Sequence, residues 1–104
     1  MTISKRLFVM PMIGEGTREN PIRGKYVRED GVLQTGAITR GEDRIALVML
    51  EAEQSVLDAV AAKPDVEAVT VIEARSIAVE YLNKQTGRQE SWAGKPIFLG
   101  GLKI

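Results

Sequence analysis

The order of hydrophobic periods along this chain predicts an α+β domain: a ferredoxin-like sheet of about four strands plus a hairpin, with two helices on one face. Three observations predict it. Short apolar runs recur at Leu7–Ile13 and Ile45–Leu50; the spacing turns helical twice, at Val56–Ala61 and Ala74–Leu82; and turn residues separate these segments. At 104 residues the chain has material for one core, so residues 1–104 are expected to form a single domain.

The first strand is read over Arg6–Ile13, apolar and stopped by Gly14; Pro11 cannot donate to a ladder, which places this strand at an edge or on a bulge. Gly14–Gly24 holds Gly14, Gly16, Gly24 and Pro21 among charged residues and keeps no hydrophobic period, which predicts a long loop. Lys25–Thr35 reads as a hairpin with Asp30-Gly31 in its turn, Tyr26 and Val27 on one arm and Val32 and Leu33 on the other. A polar turn at Thr39–Asp43 leads into the strand Ile45–Leu50.

From Ala52 an alanine-rich helix follows, ended by Pro64-Asp65. Val66–Ile72 gathers β-branched residues and predicts a strand. Ala74, Ile77, Ala78, Tyr81 and Leu82 mark a second helix, with Gly87 placed to cap it. In the tail, residues 91–104, a short strand is expected at Ile97–Leu99.

Both apolar strands are hydrophobic at every position, so both of their faces must be dry, whereas two helices on one face shelter only that face. The other face is expected to be covered by the hairpin, the tail or a second subunit. Exposing three or four large side chains would forfeit ~1.5–3 kcal/mol each. A homo-oligomer or a docked larger protein assembly is therefore the expected partner. The expected interface residues are Phe8, Met10 and Met12 on one phase of the first strand, with Tyr26 and Trp92 as aromatic anchors.

Fourteen Lys+Arg against fourteen Asp+Glu cancel, which excludes the cationic field of a general nucleic-acid or membrane-surface binder. No membrane span or signal peptide is read, so a cytoplasmic or virion-associated protein is expected. The chain has no Cys and no His, which removes thiolate nucleophiles, imidazole bases, Ser-His-Asp triads and ordinary transition-metal sites. Neither metal nor cofactor is expected. Gly14-Glu15-Gly16 is no dinucleotide fingerprint, since Glu19 stands where the third glycine belongs. No nucleophile with a paired base stands out, so no catalytic residue is assigned. The alternative to docking is a phosphorylated small ligand or a nucleic-acid backbone held by Arg18, Arg23, Lys25 and Arg28. Against it, acids are interleaved with those cations.

The stretch Phe8–Tyr26, FVMPMIGEGTRENPIRGKY, resembles the opening of small proteins found in bacteriophage and environmental genomes. These run strand, Gly-x-Gly-Thr, polar residues, Pro-x-Arg and Lys-Tyr, matched here by Gly14, Gly16, Thr17, Pro21, Arg23, Lys25 and Tyr26. The resemblance implies a virion or assembly role and assigns no catalytic residue.

Overall fold

The computed structural model describes residues 2–27 and 31–104. Its elements are β1 (Ile3–Ile13), β2 (Arg23–Gly24), β3 (Val32–Arg40), β4 (Asp43–Glu53), α1 (Gln54–Ala61), β5 (Glu67–Val69), α2 (Val71–Thr86), β6 (Phe98–Leu99) and β7 (Leu102–Lys103). The fold is α+β. Strands β2-β1-β4-β3 form a curled antiparallel sheet, half of a barrel, and β5 joins it on β1. Helix α1 carries the chain from β4 across β1 to β5, while α2 leads to the small β6–β7 hairpin. In a ferredoxin-like sheet both helices link strands of that sheet, so the strand order departs from that expectation.

Neighbouring residues on a strand point to opposite faces, and β1 and β4 use both faces. Phe8, Met10, Val48 and Leu50 pack with Val27 and with Leu57 and Val60 of α1. Leu7, Val9 and Leu47 pack with Ala74 and Ala78 of α2 and with Ile97, Leu99 and Leu102 of the tail. The helices therefore lie on opposite faces rather than together on one. Continuous apolar strands need two covers, and the chain supplies α1 for one face and α2 with the tail for the other.

The tail is held in three ways. Ile97 N donates to Ile104 O at 2.7 Å and Ile104 N to Ile97 O at 2.9 Å, framing the β6–β7 hairpin. Arg75 of α2 donates to backbone carbonyls of the tail. Finally, Leu99 crosses β3 at Gly36, where a Cβ would stand 2.6 Å from the Cβ of Leu99. Only a residue without a side chain admits that approach.

Hairpin and helix boundaries moved for local reasons. Residues 25–27 form no strand, and Asp30 of the expected turn, like Arg28, lies outside the described residues. Instead β3 pairs with β4 through a two-residue loop after Arg40, in the register Arg40↔Asp43. Gly41 sits first in that loop with φ +65, the placement of a II′ turn. The strand expected over Val66–Ile72 stops at Val69. Thr70 Oγ1 accepts from Glu73 N at 3.1 Å and Glu73 Oε1 accepts from Thr70 N at 3.2 Å, a capping box that starts α2 at Val71. The cap expected at Gly87 is present, with φ 70. Pro11 was expected to put β1 at an edge or on a bulge, but β1 is paired on both sides, with β4 on one and with β2 and β5 on the other; the carbonyl of Pro11 accepts from Lys25 N at 2.9 Å. Its ring nitrogen thus faces the same edge of β1, between the residues paired with β5 and those paired with β2. Among the described residues no helix is long and apolar enough to cross a membrane.

Candidate functional site

The loop after β1 folds on itself. Glu15 N and Gly16 N both donate to Asn20 O, at 3.0 and 3.1 Å, and Asn20 N donates to Thr17 Oγ1 at 3.0 Å. Arg23 Nη1 donates to Asn20 Oδ1 at 3.4 Å and to Pro21 O at 3.5 Å, closing the loop from behind. Three backbone donors of the loop are thereby committed within it, two to the Asn20 carbonyl and one to the Thr17 hydroxyl. Arg18 is exposed at the tip. The four cations expected to clamp an anion do not converge among the described residues: Arg23 staples the loop, Lys25 turns to another element, and Arg28 is not described.

Lys25 reaches across to the segment after α1. Its Nζ donates to Asp65 Oδ2 at 3.3 Å and stands 5.2 Å from the Tyr26 ring centroid. Lys63 Nζ lies 5.5 Å from the same centroid, so one phenol ring carries two ammonium groups. Hydrogen bonding from Tyr26, assisted by the Lys25 ammonium, holds the Asp65 carboxyl below the usual carboxylate range. Tyr26 and Asp65 in turn raise Lys25 above the usual lysine value. This clasp joins the 25–27 turn to the end of α1 over Val27 and Val60.

Two grooves meet at Val56, the half-buried residue of the first turn of α1. One, of about 290 Å³, runs along α1 past Ser55 and Ala59 and is bounded by Tyr26 and Lys63. The other, of about 460 Å³, lies at the end of the sheet and is lined by Ile3, Val32, Glu51 and Glu53. Register explains the second. Val32 pairs with Glu51, Glu51 with Lys5, and Glu53 with Ile3, so these side chains share one face of three adjacent strands. It is the face that α2 and the tail cover further along, at Leu7 and Leu47. At this end nothing in the described chain lies over it, and Ile3 and Val32 are 57% and 63% exposed. A third groove, of about 350 Å³, opens beside Pro11 and Ile45, between Asp43-Arg44 and the Pro64–Glu67 segment.

The first strand was expected to present Phe8, Met10 and Met12 to a partner, but the chain covers both of its faces itself. Phe8 and Met10 are 0% and 1% exposed, sealed under α1, and Met12 is half-buried in the same cluster. A surface for another molecule has to be sought elsewhere. Trp92 is half-buried against the α2-side core. Tyr26, half-buried, borders the groove along α1, and buried Met10 lines the one beside Pro11. Ile3, Val32, Val56 and Lys63 were missed. Lys5-Arg6 hides the alternation Ile3, Lys5, Leu7 that extends β1, and Val56 reads simply as part of a helical core stripe.

Comparison with protein-family models, with curated proteins and with solved structures finds no match to this chain.

Proposed function

We propose that this chain is a non-enzymatic docking protein, binding a protein surface (another copy of itself or a component of a larger assembly) where the two grooves meet at Val56. The observation that carries the reading is the pair of exposed apolar side chains, Ile3 and Val32, on a sheet end that continues an otherwise covered face. Fully burying a side chain of this size contributes about 1.5–3 kcal/mol. Association costs ~4–15 kcal/mol in lost freedom. Two or three apolar anchors are thus close to break-even, and the charges around them decide which partner is accepted. A weak, selective contact is the result, of the kind used in assembly. The resemblance of Phe8–Tyr26 to small bacteriophage proteins supports the same class of role. The anion-binding alternative draws no support from Lys25, whose charge is already paired with Asp65.

The test compares wild type with Ile3→Asp/Val32→Asp, matched by far-UV circular dichroism, using chemical cross-linking of the purified chain and of extracts of cells that make it. Wild type is expected to give cross-linked species that the variant loses. Identical cross-linking of the two would overturn the reading.

A further inference from the structure

We infer that the occupant of this surface is a second copy of the same chain, packed through antiparallel α1 helices about a two-fold axis between Val56 and Ala59. The inference rests on the docking reading above and names its partner. A two-fold contact requires a surface that complements itself, and this one does. It begins at the carboxylates of Glu51 and Glu53, crosses apolar Val56, and ends at the ammonium of Lys63 beside Tyr26. Glu53 is the N-cap residue of α1 and Lys63 follows its C-cap Ala62, so the two charges stand off opposite ends of the helix. Rotation about the midpoint superimposes the acidic end of each copy on the basic end of the other.

The charges are free to do so. Among the described residues neither Glu53 nor Lys63 has an opposite charge within 4.0 Å, and Glu51 has only Lys5 at 3.9 Å. Between the two ends, Ser55 and Ala59 share one face of α1 at i and i+4, and line the same groove as Lys63. Both are small and exposed, so the two helix backbones can approach closely. Asp58, next to Ala59, accepts from Gln54 Nε2 of its own helix at 2.9 Å. Tyr26 of the other copy then enters the groove between Ile3 and Val32, which covers the exposed sheet end. Placing the same sheet ends directly face to face would set the Glu51 and Glu53 carboxylates of the two copies against each other, which disfavours that arrangement.

The experiment is sedimentation equilibrium of the full chain over about two decades of concentration, for wild type, Glu53→Lys, Lys63→Glu, the double exchange, and an equimolar mixture of the two single variants. Wild type is expected to show a monomer–dimer equilibrium. Each single reversal acts at both ends of the interface and is expected to weaken the dimer by about tenfold or more. The double exchange restores it. The mixture of single variants also associates, because a two-fold pairing of position 53 with position 63 sets Lys against Glu at both ends of the mixed dimer. Circular dichroism confirms that each variant is folded. A wild type that stays monomeric throughout overturns the second copy. If cross-links to other proteins still disappear in Ile3→Asp/Val32→Asp, the docking reading survives with a different partner. A dimer indifferent to both reversals overturns the proposed geometry.

Discussion

Arg75 and Trp92 are joined across the α2 face: Nη2 of Arg75 donates to the carbonyl of Trp92 at 2.6 Å, while Nη1 donates to the carbonyl of Ile104 at 2.8 Å. One guanidinium therefore ties both ends of the tail segment to the helix, and the apolar side chains between them, Ile97, Leu99 and Leu102, close the core.

Arg75→Met keeps most of the aliphatic stem and removes both donors. Hydrogen bonds from a charged group are worth about 1.5–3 kcal/mol each, and part of this one is exposed, so a total loss of about 2–3 kcal/mol is expected in urea titration. Hydrogen exchange should accelerate most at the amides of Ile97 and Ile104. Unchanged protection there would mean that burial alone holds the tail.

Gly36 and Leu99 form a coupled pair. Gly36→Val forces a side chain into the space of Leu99, an overpacking that costs about 1–3 kcal/mol. Leu99→Ala opens a cavity at a cost of about 2–5 kcal/mol. The double variant should be less destabilised than the sum, measured as a cycle of melting temperatures. Additive losses would show that β3 and the tail are not in contact at this point.

The Lys25–Tyr26–Asp65 clasp gives stability a pH dependence of known sign. Asp65 is lowered in the fold, so its contribution is present above the ordinary carboxylate value and fades as pH falls through the lowered one. Lys25 is raised, so its contribution is present below the ordinary lysine value and fades as pH rises through the raised one. The melting-temperature difference between wild type and Asp65→Asn should be flat through neutral pH and shrink at both extremes. Both groups are exposed, so it should also shrink in high salt. A difference that grows on acidification contradicts the assignment.

Phe8 separates core from surface. Phe8→Ala is expected to cost about 3–5 kcal/mol because the ring is wholly buried under α1. Any remaining folded protein should associate as wild type does, whereas Lys63→Glu should melt near wild type and associate less. The reverse pattern would return the interface to the first strand.

Much of the fold was legible as pattern. Continuous apolar runs located β1 and β4, helical spacing located α1 and α2, and Gly87 marked the end of α2. The capping box Thr70-x-x-Glu73 was also written in the chain, but the β-branched Val69, Thr70, Val71 and Ile72 masked it. Local propensity for a strand lost there to two reciprocal hydrogen bonds. The hairpin was misplaced because Asp30-Gly31 and Gly41-Glu42 are both competent turns, and only pairing with all of β4 selects between them.

The sequence by itself determined that two strands are dry on both faces, that two helices are available as covers, and that chemistry needing Cys or His is absent. Which face each helix takes was decided only by the tertiary structure, because alternation along a strand says that two faces exist and not what lies over them. The same holds for the site. Ile3, Val32, Val56 and Lys63 are far apart in the chain and individually unremarkable, and become a surface only when strand register and the direction of α1 bring them together.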